Sequence, residues 1–157
     1  MAPRHASNKP TMAAACFMVR MVCKLLPFRV YRGVRGVFQY QNLQPTGYDV
    51  HRLAEGLDLW ICGIKIEHSK GCVAHSDGDT PIHALCDAML GALALGDIGK
   101  HFPDTSDDFK GIDSTILLSS VNKLIKSHGY TINNADITIA LQRPKIGPYI
   151  TQMRQRL

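Results

Sequence analysis

Acidic residues are missing from the first 48 positions of the chain. Seven basic residues stand there unopposed: Arg4, Lys9, Arg20, Lys24, Arg29, Arg32 and Arg35. From Asp49 onward eleven basic residues face all thirteen acidic ones, so the net charge of +5 belongs to the first third. A nucleic-acid-binding domain would carry its basic excess on the folded surface, and this chain does not. CxxC spacing is also missing, and the five cysteines are an odd number. That disfavours a disulfide framework or a cysteine zinc knuckle and points to a reducing compartment. Long apolar runs are absent too. The best candidate, residues 12–28, is broken by Arg20 and Lys24 and falls short of the ~20 apolar residues of a spanning helix. No secretory cleavage site follows it. What remains, 45% hydrophobic and 20% charged over 157 residues, fits one ordinary globular domain and excludes a wholly disordered chain.

Composition divides the chain into residues 1–46, a basic acid-free extension, and residues 47–157, the domain. The extension reads either as an organellar transit peptide or as an artefactual upstream start; serine, with only Ser7 in the first forty positions, is scarce for the former. The domain reads as α+β, with α/β layers in which a mixed sheet packs against helices. Tyr48-Asp49-Val50-His51 is strand-like after a Pro45-Thr46-Gly47 turn. Residues 59–66 are β-rich, and Gly63 inside them suggests a hairpin or bulge. A helix is expected over residues 80–95, with Pro81 in its first turn and Gly96 as its stop. A loop follows to Gly111, and then a helix from an Asp113 or Ser114 cap to His128, closed by Gly129. Residues 130–141 alternate as a strand, residues 143–148 form a loop, and a last helix starts at Tyr149.

Several groups of residues carry possible chemistry. In Asp49-x-His51 a carboxylate and an imidazole project from one strand face. His83, four residues after Asp79 and four before Asp87, offers a third ligand from a helix. Asp with two His suits a zinc site with an open fourth position, and Asp79 or Asp87 would then orient the imidazole. Taken singly, each part reads more readily as an ordinary surface or satisfied residue. Ala74-His75-Ser76-Asp77-Gly78-Asp79 precedes a helix and is either an anion site or plain capping by Asp77 or Asp79. The loop from Gly96 to Thr105 mixes glycines, donors, a carboxylate and Phe102, without P-loop spacing. Gln142-Arg143-Pro144-Lys145 places two cations beside a proline, to meet phosphates or to solubilise a loop.

Taken together, these blocks, with His83-Ala84-Leu85-Cys86-Asp87-Ala88, Gly96-Asp97-Ile98-Gly99 and Phe102-Pro103-Asp104-Thr105, resemble the 2-C-methyl-D-erythritol 2,4-cyclodiphosphate synthase family over residues 47–157. The resemblance implies a phosphorus–oxygen lyase of non-mevalonate isoprenoid biosynthesis. Such an enzyme converts 4-diphosphocytidyl-2-C-methyl-D-erythritol 2-phosphate to the cyclic diphosphate and CMP. It implies a homotrimer with a sheet-lined centre and intersubunit sites, with no nucleic-acid or membrane partner. It implies zinc on Asp49, His51 and His83, and magnesium or manganese at a second site. It also implies substrate contacts at Asp49, His51, His75 and Ser76. The methylerythritol pocket would be lined by Asp97, Ile98, Gly99, Phe102, Pro103, Asp104, Thr105 and Ser106. The cytidine end would be held by the loop Leu141, Gln142, Arg143, Pro144, Lys145, Ile146 and Gly147. The expected location is cytoplasmic in a bacterium, or a plastid-type organelle if residues 1–46 are a transit peptide.

Two departures from that family pattern stand out. Family chains continue past the position of Leu157 through a Thr-Thr-x-Glu motif, whose threonines contact phosphate and whose glutamate binds the second metal. That motif is not among these 157 residues. The family's first strand also runs directly into the DxH, where this chain has residues 41–46 with Pro45. Both a truncated synthase and an inactive remnant that binds zinc or nucleotide, or only oligomerises, are compatible with this pattern.

Overall fold

The computed structural model describes Ala14–Arg20, Leu26–Pro27 and residues 45–157. The rest of the span read as an extension, including most of the transit-peptide reading, lies outside the described residues. Its framework is a four-stranded sheet in the order β6-β3-β1-β8, built from β1 (Ala14–Arg20), β3 (Thr46–Glu55), β6 (Lys70–Cys72) and β8 (Thr138–Ala140). The α+β class is as expected. Each described pairing is antiparallel, so the mixing of strand directions expected from the sequence is not found among them. β1 falls inside the basic segment and pairs with β3 along its full length, Phe17 opposite Asp49 and Ala15 opposite His51. A second small pair joins β2 (Leu26–Pro27) to β7 (Tyr130–Thr131).

β3 shows the alternation of a half-buried strand. Tyr48 and Val50 are exposed, while Gly47, Asp49, His51 and Leu53 face inward. α1 (Thr80–Ala92) lies across that inward face. The approach is so close that a Cβ on Gly47 would sit 1.7 Å from the Ala84 carbonyl oxygen. Glycine is required there for space, since its φ lies outside the left-handed region. This contact brings Asp49 within reach of His83 on the helix.

α1 buries its whole first turn and packs Ile82, Leu85 and Met89 against Val121 and Ile125 of α3 (Ser114–Ser127). It ends at Ala92 rather than at the expected position 95. Ala94 takes the left-handed conformation (φ 55°) and the Leu95 N–H closes onto the Leu90 carbonyl, so the turn is made before Gly96 is reached. α3 matches its expectation: Asp113 caps it through the Thr115 N–H, and Gly129 (φ 80°) follows its end.

A second core gathers Leu59, Ile61, Ile66, Cys72 and Met153. β4 (Leu59–Ile61) and β5 (Ile64–Ile66) form the expected hairpin, with Cys62 (φ 52°) and Gly63 (φ 73°) in its turn. Positive φ at both central residues is the geometry that matches strand twist. β6 had no separate expectation, since its centre is Gly71; a Cβ there would meet the Asp58 carbonyl at 1.9 Å. The single strand expected over 130–141 is instead β7 and β8 with an irregular stretch between them. Asn133, Asn134 and Asp136 sit in that stretch, and these residue types disfavour strands. The loop expected after position 96 contains one helical turn, α2 (Ile98–His101), and a 3-10 turn over Asp107–Phe109. The last helix, α4 (Ile150–Arg156), follows a 3-10 turn at Gly147–Tyr149. No described helix is long and apolar enough to cross a membrane.

Candidate metal centre and substrate cavity

Asp49, His51 and His83 converge. The Asp49 Oδ2 atom lies 3.0 Å from His51 Nε2 and 3.2 Å from His83 Nδ1. One ligand-type atom from each residue lies within 4.8 Å of the others. The two imidazoles stand edge to face with centroids 5.6 Å apart. Burial, the largest single influence, pushes the Asp49 carboxyl up, but with protons on the facing nitrogens the hydrogen bonds and charges of His51 and His83 together outweigh it and hold Asp49 well below the usual range; a cation would take the place of those protons. The Asp49 carboxylate raises His51, and burial opposes that shift.

The donor set suits a divalent cation. His51 Nδ1 is 2.8 Å from the Val73 carbonyl, which can only accept, so this nitrogen carries a proton. With Nδ1 protonated, a neutral ring turns the lone pair of Nε2 toward the Asp49 oxygen, whereas a second proton on Nε2 would donate to it. A lone pair facing a carboxylate is repulsive unless a proton or a cation lies between them. A backbone carbonyl holding the far nitrogen of a ligating imidazole is the usual outer support of a metal site, and Asp/His/His leaves coordination positions open.

Neither carboxylate expected to orient His83 does so. Asp79 is fully buried and is turned away: it accepts from the backbone N–H groups of Cys62, Gly63 and Ile82. It is the N-cap of α1, as the plain capping reading allowed. Burial pushes its carboxyl up to about 6 against the pull of those three donors. Asp87 instead accepts from the Ile98 N–H at 2.7 Å. His83 is held by two hydroxyls, with Nε2 lying 3.0 Å from Ser76 Oγ and 2.9 Å from Ser114 Oγ. Ser114 was seen in sequence only as a possible helix cap. Its tie to a histidine 31 positions earlier has no periodic signal.

The cluster opens onto a cavity of about 450 Å³. Of the expected substrate residues, His75, Ser76, Ile98, Gly99, Phe102 and Asp104 line it together with Asp49 and His51. Phe109, Ile112 and Leu117 join them without having been expected, as does Asp87. Asp97 caps α2 through the Lys100 N–H (2.9 Å), and the Ser106 carbonyl takes a hydrogen bond from the His75 ring at 3.0 Å. Phe102 and Phe109 stack edge to face across the loop. Pro103 and Thr105 are exposed on the same loop and are not among the lining residues. Nor are residues 141–147; Leu141 and Ile146 pack on the second core instead. Ile146 also lines a separate, larger and mainly apolar cavity of about 650 Å³ between the 132–139 segment and α4, which contains none of the three clustered ligands.

An α+β domain carrying a carboxylate–imidazole cluster in the lining of a cavity defines the class of protein. The sequence pattern of the YgbB family matches residues 45–157, and the chain belongs to that family. It is 56% identical over 111 residues to the 2-C-methyl-D-erythritol 2,4-cyclodiphosphate synthase of Pseudoalteromonas atlantica, covering 71% of this chain and 68% of the relative. It is 57% identical to the synthase of the same name from Acinetobacter baumannii, covering 71% and 69%. A solved structure of a 2C-methyl-D-erythritol-2,4-cyclodiphosphate synthase in a CDP-bound form superposes with a TM-score of 0.67 at 42% identity, covering 71% of this chain and 74% of the other.

Proposed function

We propose that the chain is a cyclodiphosphate synthase subunit. It would close 4-diphosphocytidyl-2-C-methyl-D-erythritol 2-phosphate into 2-C-methyl-D-erythritol 2,4-cyclodiphosphate with release of CMP. The observation that carries the reading is the convergence of Asp49, His51 and His83 in the lining of a cavity shared with His75, Ser76 and Asp104. Homology to synthases at 56–57% identity supports the substrate class.

Asp49, His51 and His83 would hold a divalent ion, zinc by donor type; when bound it supplies Lewis acidity and charge neutralisation at a phosphoryl oxygen. The attacking 2-phosphate oxygen is already ionised, so no side chain has to remove a proton. The protein's task is positioning, for which orientation alone can supply up to ~7–11 kcal/mol. His75 and Ser76 would meet the phosphorylated end of the substrate, and Asp104, in the lining of the same cavity, would accept from sugar hydroxyls. Phe102 and Phe109 give the cavity an aromatic wall that limits water. Asp97, Pro103, Thr105 and Ser106 would shape this loop from behind. The second ion, magnesium or manganese, is assigned by resemblance to the Thr-Thr-x-Glu motif, which these 157 residues do not contain.

Residues Leu141 to Gly147 would hold the cytidine end. Because they do not line the cavity of their own chain, the reading places them at the cavity of a neighbouring subunit in a homotrimer. Sedimentation of the purified chain should then give three times its 17.4 kDa mass. The compartment would be cytoplasmic in a bacterium, or a plastid-type organelle if residues 1–46 direct import.

A CMP-release assay with the full chain, zinc and magnesium tests the activity. Turnover that vanishes in His83→Ala supports it; equal rates in the two proteins overturn it. Binding of zinc and CDP without turnover favours the second reading, a non-catalytic remnant of the same family. That these 157 residues do not contain the Thr-Thr-x-Glu motif is the observation behind that alternative.

A further inference from the structure

The second nitrogen of His83 is tied into a polar chain that neither the homology nor the proposed reaction assigns. Ser114 is fully buried at the start of α3. Its backbone N–H donates to Asp77 Oδ2 at 2.9 Å, and its hydroxyl donates to Asp77 Oδ1. An ionised carboxylate only accepts, and a serine hydroxyl has one proton. Ser114 Oγ therefore has lone pairs, and no proton, to offer His83 Nε2 at 2.9 Å. Ser76 Oγ already accepts from the Gly78 N–H and lies 3.0 Å from the same nitrogen. Ser114 Oγ thus faces Nε2 as an acceptor, and Ser76 Oγ, which keeps a second lone pair, can join it as another.

We infer that Asp77 and Ser114 are positioning residues: they hold His83 as the Nε2–H tautomer and thereby aim its Nδ1 lone pair at Asp49 and His51. A neutral imidazole has one donor and one acceptor nitrogen, and whichever binds a metal is set by the hydrogen bond of the other. In the other tautomer Nδ1–H would donate to Asp49 Oδ2, 3.2 Å away, and close the cluster to a cation. The relay also ties the start of α3 to the loop ahead of α1, because Asp77 Oδ1 accepts from the Asp79 N–H and the Asp77 N–H donates to the Ile112 carbonyl.

The inference rests on the metal reading above, and two measurements separate them. In the metal-free full chain with ¹⁵N-labelled histidine, long-range ¹H–¹⁵N spectra report which ring nitrogen holds the proton, the His83 signals being assigned by their loss in His83→Gln. Nε2–H is expected in the wild type and in Ser114→Thr, which keeps the hydroxyl, and a mixture of tautomers in Ser114→Ala. Cobalt(II) affinity, read by visible absorption against a chelator, is expected to fall ~10–100-fold in Ser114→Ala. It should fall in the same direction in Asp77→Asn, and Ser114→Thr should recover most of it. A wild-type His83 found as Nδ1–H overturns the relay, with Ser76 then donating to Nε2. So does a folded Ser114→Ala that keeps both the tautomer and the cobalt affinity. If Ser114→Ala fails to fold, Asp77→Asn decides by the same two readouts. A wild type that binds no cobalt while His83 is Nε2–H overturns the metal reading and leaves the tautomer assignment standing.

Discussion

The two halves of the domain are finished to different degrees. Between α1 and α3 side chains are buried, the buried polar side chains are paired, and the Asp49, His51 and His83 atoms sit on a strand and a helix locked together at the Gly47–Ala84 contact. From Tyr130 to Leu157 most residues are half-buried or exposed, strands are two or three residues long, and an apolar cavity of about 650 Å³ separates the 132–139 segment from α4. The first half is a prebuilt binding corner. The second carries the loop expected to grip the nucleotide and holds it away from that corner. Within one chain, none of the three clustered ligands lies in the region that would hold the nucleotide.

The sharpest test of that contrast is metal content. Asp49→Ala and His51→Ala should each reduce bound zinc from one equivalent per chain to near none after dialysis, measured by elemental analysis, while Lys145→Ala on the other side should leave it at one. Retained stoichiometry in both corner variants would break the comparison.

Stability should divide in the same way. Ile82→Ala removes a fully buried side chain at the α1–α3 contact and should cost ~2–5 kcal/mol in urea denaturation. Ile150→Ala, at a residue 48% exposed, should stay within ~0.5 kcal/mol. Equal losses would mean that the carboxy-terminal half is as tightly built as the first. Gly47→Ala addresses the lock itself. The new methyl would collide with backbone rather than with a yielding side chain, so a loss of at least ~1–3 kcal/mol is expected, with weakened metal binding in whatever fraction folds.

A smaller effect concerns pH. The Asp79 carboxyl is raised by burial to about 6, from an ordinary 3.8. Between those values the folded protein holds a proton that the unfolded chain releases, so this group's contribution to stability falls as pH rises from 3.8 to 6. Denaturation midpoints across that window should show a shallower decline in Asp79→Asn than in the wild type. An identical slope would remove Asp79 as the cause.

Legibility from sequence followed the same division. The Asp49-x-His51 pair was readable because strand alternation places both on one face, and α1 and α3 were readable from their apolar stripes and from caps such as Asp113 and Gly129. That His83 meets the pair could be inferred only by resemblance, because the Gly47–Ala84 contact that joins strand to helix leaves no local pattern. The support of His83 was misplaced: helical spacing suggested Asp79 or Asp87, whereas Ser76 and Ser114 come from loops and a helix start whose meeting is purely tertiary. In the other half, Ile137 and Ile139 alternate as in a strand, but Asn133, Asn134 and Asp136 interrupt the pairing, so one expected strand became two fragments.

Asp79 has a consequence for how the molecule opens. One carboxylate holds the amides of Cys62 and Gly63 in the hairpin turn and of Ile82 in the first helical turn. Separating the hairpin from the helix would take away two of the three donors of Asp79 and leave the Cys62 and Gly63 amides without their acceptor, so neither element gains by loosening alone. In deuterium exchange those three amides should trade hydrogen at a common slow rate, as a single cooperative unit, although they lie some twenty residues apart in the chain.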